Sequence, residues 1–166
     1  MLSLTWNFYL YYALLVACTT YALRRGGPPE RIGVTILAIG SVLTVTALWM
    51  SAILHGRGHI YRSVEIGVLI VDAMVLIGFL VLALRADRYW PMWIVALQIL
   101  GMSGHLVKFA DPAIIPRAYA FIVAIWSYPM IALLVIGTWR HQRRLSRFRA
   151  DRSWSRFRLL PLSALP

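Results

Sequence analysis

Asp72 sits in the middle of the apolar run VEIGVLIVDAMVLIGFLVLAL, and His105 sits in the run PMWIVALQILGMSGHLV that follows it across the short turn RADRYW. A carboxylate and an imidazole can pass a proton, share a hydrogen bond or hold a ligand. Within hydrocarbon, leaving Asp72 charged and facing lipid would cost about 2.5–3.5 kcal/mol even on a lenient insertion scale. It is therefore expected to face other helices, paired or protonated. Glu65 lies two helical turns before Asp72 and shares its face. Gln98, Gly101, His105 and Lys108 recur at i, i+3, i+7 and i+10, again along one face. Folding the hairpin near positions 87–88 places Asp72 opposite Ser103, within a turn of His105, and Glu65 opposite Ala110, close to Lys108. Gly101 and Gly104 remove side chains where such a hairpin needs close approach. The next hairpin, folded near 112–113, carries Tyr119 to the depth of His105 and Trp126 to that of Gln98. Asp72, His105, Glu65, Lys108, Gln98 and Tyr119 thus make up the candidate intramembrane polar cluster, in the outer half of a helical bundle.

Two readings of this cluster compete. In one, Asp72–His105 is an interhelical hydrogen bond that fixes register; in the other, the group is a proton-responsive or ligand-binding site. Haem ligation by His105 and His55 is disfavoured because only His105 lies well inside an apolar run, and no cofactor is expected. His55 and His59 make a poor metal pair, since Gly56 and Gly58 spoil the helix that would align i with i+4. Cys18 is alone, so there is neither a disulfide framework nor a thiolate cluster. The sequence contains no nucleophile elbow, phosphate loop, zinc-protease or deaminase signature, which argues against an enzyme.

The elements that must carry these residues follow from composition. The 166 residues are 60% hydrophobic and 14% charged, with mean hydropathy +0.71, whereas a soluble domain carries about 25% charged residues. The apolar residues come in blocks long enough to cross a bilayer, and the ten-residue alternation of a membrane barrel is absent. An all-α, polytopic membrane protein is expected, a bundle of five transmembrane helices at about 4–23, 32–54, 64–84, 91–107 and 118–139, the fourth being the shortest. Gly26, Gly27, Pro28 and Pro29 make a turn, and Pro91 suits a first helical turn. Trp90 and Trp93 read as interface anchors. Asp111-Pro112 and Pro116 allow one short interfacial turn, and Pro129 should bend the last helix near Ile125.

Residues 1–139 form the transmembrane domain and 140–166 an Arg-rich tail with eight arginines. In the tail, Leu145, Phe148, Trp154, Phe157 and Leu160 scatter around a helical wheel, so a single amphipathic helix is not expected. Its arginines suit anionic lipid headgroups at a membrane surface, and no nucleic-acid partner is expected. With five spans, 13 basic residues fall on the side of the tail and 4 on the other. The positive-inside rule then puts the N-terminus in the periplasm and the C-terminus in the cytoplasm.

LALRADRYWPMW, the lone His105, DPAIIPRAYA and WSYPMIALLVIGTW together resemble a group of small polytopic inner-membrane proteins common in alphaproteobacteria, over about 67–139. The resemblance implies a helical bundle in the bacterial inner membrane and carries no activity or site assignment. With connections this short, the function first expected is that of an accessory or scaffolding subunit of a membrane assembly, with other membrane subunits as partners. The alternative is a small transporter or proton-linked membrane sensor using Asp72 and His105.

Overall fold

The computed structural model describes residues 2–56, 61–148 and 154. Among the described residues the regular structure is helical apart from one isolated bridge: α1 (Leu2–Arg25), α2 (Pro28–His55), α3 (Ile66–Arg85), α4 (Trp90–Ala110), α5 (Pro116–Ile125) and α6 (Ser127–Phe148). Four stretches among the described residues are long and apolar enough to cross a membrane: α2, α3, α4, and α5 with α6 taken as one broken helix over Pro116–Arg147. This is an integral membrane protein by that measure. The helix α1 is as long as the others but more polar, with Thr5, Asn7, Thr19, Thr20 and several tyrosines.

The helices pack in a ring. α1 lies against α2 and α6, α2 against α3, α3 against α4, and α4 against α5 and α6, while α6 also reaches α2. Side chains facing inward form an apolar plug of Leu15, Leu37, Val75, Phe79, Ile94 and Leu134. Those facing outward are also apolar, among them Leu54, Ile70, Leu106 and Phe121, as expected of helices whose solvent is lipid.

Local chemistry explains the helix ends, and it moves several of the boundaries read from sequence. Pro28 and Pro29 begin α2 instead of lying in a turn before it. Proline is preorganised for the first helical turn, where its missing N–H has no partner to lose, so only Gly26 and Gly27 separate α1 from α2. The fourth helix is not the shortest: α4 has 21 residues against 20 in α3. It continues beyond Val107 because Lys108 Nζ donates to the carbonyls of Pro112 at 2.8 Å and Ile114 at 2.7 Å, tying down the connection that follows. That connection is a turn closed by Asp111 Oδ1, which accepts the Ala113 N–H at 2.9 Å, and not a helical segment. Pro129 interrupts the last helix as expected, with the break at Trp126. Finally, α6 carries on past Trp139 to Phe148, so the tail begins inside a helix. Trp154 bridges back to Ala86, at the turn between α3 and α4. Phe157, Leu160 and the lipid contacts expected of the last arginines lie outside the described residues.

Candidate functional site

One end of the bundle gathers the C-terminus of α2, the start of α3, the end of α4 and the start of α5. There, Asp72 on α3 points at α4, and its Oδ2 lies 3.0 Å from His105 Nε2. The other ring nitrogen, Nδ1, lies 2.6 Å from the Tyr119 hydroxyl on α5. The Glu65 backbone N–H, at the start of α3, donates to the same hydroxyl at 3.4 Å. His105 and Tyr119 are buried, whereas the Asp72 side chain retains 18% exposure. Gln98 donates from Nε2 to the Asp72 carbonyl at 3.2 Å, joining α4 to α3 a second time.

These distances fix one self-consistent proton arrangement for the neutral ring. With Asp72 ionised, Nε2–H donates to its carboxylate, and the Tyr119 O–H donates to Nδ1. The Glu65 N–H then donates to the tyrosine oxygen. Each donor has one acceptor. A second proton on His105 makes Nδ1 a donor too, so the Tyr119 oxygen receives two donors and its own hydrogen must turn away from the ring. Protonation of the imidazole therefore reverses its bond with Tyr119 and makes Nδ1–H share that oxygen with the Glu65 N–H, while Nε2–H still donates to Asp72.

Around this line lies more polarity than the hairpin folding anticipates. Glu65 is buried, and its Oε1 accepts the Tyr61 N–H at 2.9 Å. Tyr61 has φ of 62°, a left-handed conformation that is uncommon for a residue with a Cβ. Burial, then the carboxylate of Glu65, pushes its phenol up to about 12, so it stays a neutral donor. Tyr61 also stacks edge-on against Tyr119 at 5.6 Å. At the depth of Asp72, the Tyr11 hydroxyl on α1 lies 2.7 Å from Ser41 Oγ on α2, and its ring meets Tyr128 of α6 at 5.8 Å. Tyr11 reads from sequence as part of an aromatic belt; the signal available was its two-residue offset from Tyr9, which rotates it to another face.

Two expectations are corrected. Glu65 and Lys108 form no ion pair among the described residues, because the ammonium is spent on the two carbonyls after α4 and sits 6.0 Å above the Tyr119 ring. Gly101 and Gly104 do not serve the α3–α4 approach. A Cβ on Gly104 would lie 2.9 Å from Ile122 Cγ2, and one on Gly101 3.6 Å from Trp126 Cδ1, so both face α5 and its junction with α6.

The opposite end holds a cluster that sequence reading assigned to a turn. Glu30, in the first turn of α2, is fully buried. Its Oε1 accepts the Trp90 indole N–H at 3.3 Å and lies 3.4 Å from Arg88 Nε, while Oε2 has no hydrogen-bond partner among the described residues. A Cβ on Gly27 would fall 3.0 Å from that Oε2 and 2.8 Å from His141 Cε1, which locates the buried His141 beside it. Trp90 is thus not an interface anchor: it is 8% exposed against 65% for Trp93. The helix starts at Trp90, and its first residue turns inward between Gly33 and Gly137.

Among the described residues no three His, Cys, Asp or Glu side chains converge as a metal site would require. His55 ends α2 on an exposed face, and His59 lies outside the described residues. No protein-family model matches the chain, and comparison with curated proteins and with solved structures returned no match.

Proposed function

We propose that this integral membrane protein crosses the bacterial inner membrane five times, with its N-terminus periplasmic, and works as a proton-linked membrane sensor or small transporter. The single observation that carries this reading is the doubly bonded imidazole of His105. It touches a carboxylate on α3 and a phenol on α5, and its contact with the phenol changes direction with its protonation state while Nε2–H goes on donating to the carboxylate. The partly exposed Asp72 carboxylate gives protons a way in from the end opposite the Arg-rich tail. The fifth crossing is α1, whose Leu15, Cys18 and Ala22 are buried within the bundle. Orientation rests on the excess of basic residues at the tail end.

Spin labels at Ile70 on α3 and Phe121 on α5, both exposed, test the reading in reconstituted vesicles. Acidification is expected to change the distance between them in the wild type and to leave it unchanged in His105→Gln. A distance that ignores pH in the wild type would remove the proposal.

The second reading, an accessory or scaffolding subunit, is favoured by the shortness of the connections at 26–27, 86–89 and 111–115. It expects a defined membrane partner to co-purify in mild detergent. A chain that always runs alone would count against it.

A further inference from the structure

A second feature lies on the outside of the bundle. Between α2 and α3 runs an open groove of about 360 Å³ whose walls include Ile39, Gly40, Leu43, Met74 and Gly78, with Arg31 at one end. The hydroxyl of Thr35, the other polar side chain along it, is turned back onto the Arg31 carbonyl at 2.8 Å. The groove is therefore apolar along its length and cationic at its mouth. Arg31 is exposed, and its Nε is tied to the Gly26 carbonyl at 3.0 Å, which holds the guanidinium at the end of α2 while leaving its terminal nitrogens for a ligand. No carboxylate pairs with it among the described residues.

The length selects the occupant. From Arg31 to Leu43 is roughly 18 Å at 1.5 Å per residue, close to one leaflet of a hydrocarbon core about 30 Å thick. A partner helix would need a face along the whole thickness. Farther along, the two helices close up, and a Cβ on Gly67 would sit 3.1 Å from Ala47 Cβ. Arg31 stands at the end of α2 that adjoins Arg24, Arg25 and the α3–α4 turn, where headgroups of that leaflet lie.

We infer that this groove binds an anionic phospholipid, with one acyl chain along α2 and α3 and the phosphate on Arg31. The test uses the full chain in mild detergent, titrated with phosphatidylglycerol and with phosphatidylcholine of identical acyl chains, bound lipid being counted by native mass spectrometry. The wild type is expected to favour the anionic lipid by about fivefold, the effect of one basic residue at an anionic surface. Arg31→Gln should abolish that preference, and Ile39→Trp or Met74→Trp, which fill the groove from exposed positions, should weaken binding of both lipids. Equal binding of the two lipids by the wild type would overturn the proposal. So would a preference that survives Arg31→Gln, which would place the headgroup elsewhere. Disulfide crosslinking of Ile39→Cys between two copies in native membranes would assign the groove to a protein interface instead.

Discussion

At the scale of single residues, the imidazole of His105 is the point on which the site turns, because a neutral ring offers one donor and one acceptor and here both are in use. Tyr119→Phe removes the hydroxyl that serves both Nδ1 and the Glu65 N–H. Leaving buried polar groups unpaired costs about 1–3 kcal/mol, so this variant is expected to lose stability in a detergent unfolding titration. Asp72→Asn keeps size and polarity and is expected to hold its membrane abundance; similar abundance losses in both variants would assign the cluster to packing alone. The members of this site were legible because antiparallel helices on short turns tie depth to residue number, and the sums about each turn bring Asp72, His105 and Tyr119 level. Their rotation about the helix axis was not legible. Gly101 shares a face with His105, yet it and Gly104 both meet α5 and its junction with α6 and not α3, since a helix in a ring has neighbours on two sides and sequence spacing does not say which one needs the room.

At the scale of elements, what holds the bundle at the tail end is the meeting of α2, α4 and α6 around one indole. A Cβ on Gly33 would lie 2.6 Å from Trp90 Cη2, and one on Gly137 would lie 2.9 Å from Trp90 Cδ1. Gly137→Ala is therefore expected to push Trp90 off Glu30 and to cost about 1–3 kcal/mol, the usual penalty for overpacking. The accompanying readout is Trp90 fluorescence, compared with a Trp90→Phe reference to subtract the other indoles. An unshifted spectrum and unchanged stability would mean that the α2–α6 approach is looser than these distances. This end was missed in the sequence because Pro-Pro reads as a breaker, which left Glu30 in a loop. Proline breaks a helix only from within, and at the first turn it starts one.

At the scale of the whole molecule, the buried charged groups among the described residues fall at two levels separated by the plug of Phe79, Ile94 and Leu134. The level away from the tail, from Tyr11 and Ser41 through Asp72 and His105 to Tyr119, draws on all six helices if Tyr128 is included with α6. The overall class was legible from composition alone, because blocks of apolar residues with scarce charge leave helices as the way to satisfy the backbone in lipid. The central claim is that protonation of one ring reverses its bond with Tyr119, at the point where α3, α4 and α5 meet. Nitrogen NMR of ¹⁵N-histidine-labelled protein in bilayers tests this most directly, with the His105 signal assigned by its loss in His105→Gln. The account predicts Nε2 as the single donor of the neutral ring and both ring nitrogens as donors of the protonated one, with Asp72→Asn and Tyr119→Phe each altering the signal. A His105 signal that never changes with pH, or one that titrates identically in both variants, would contradict it.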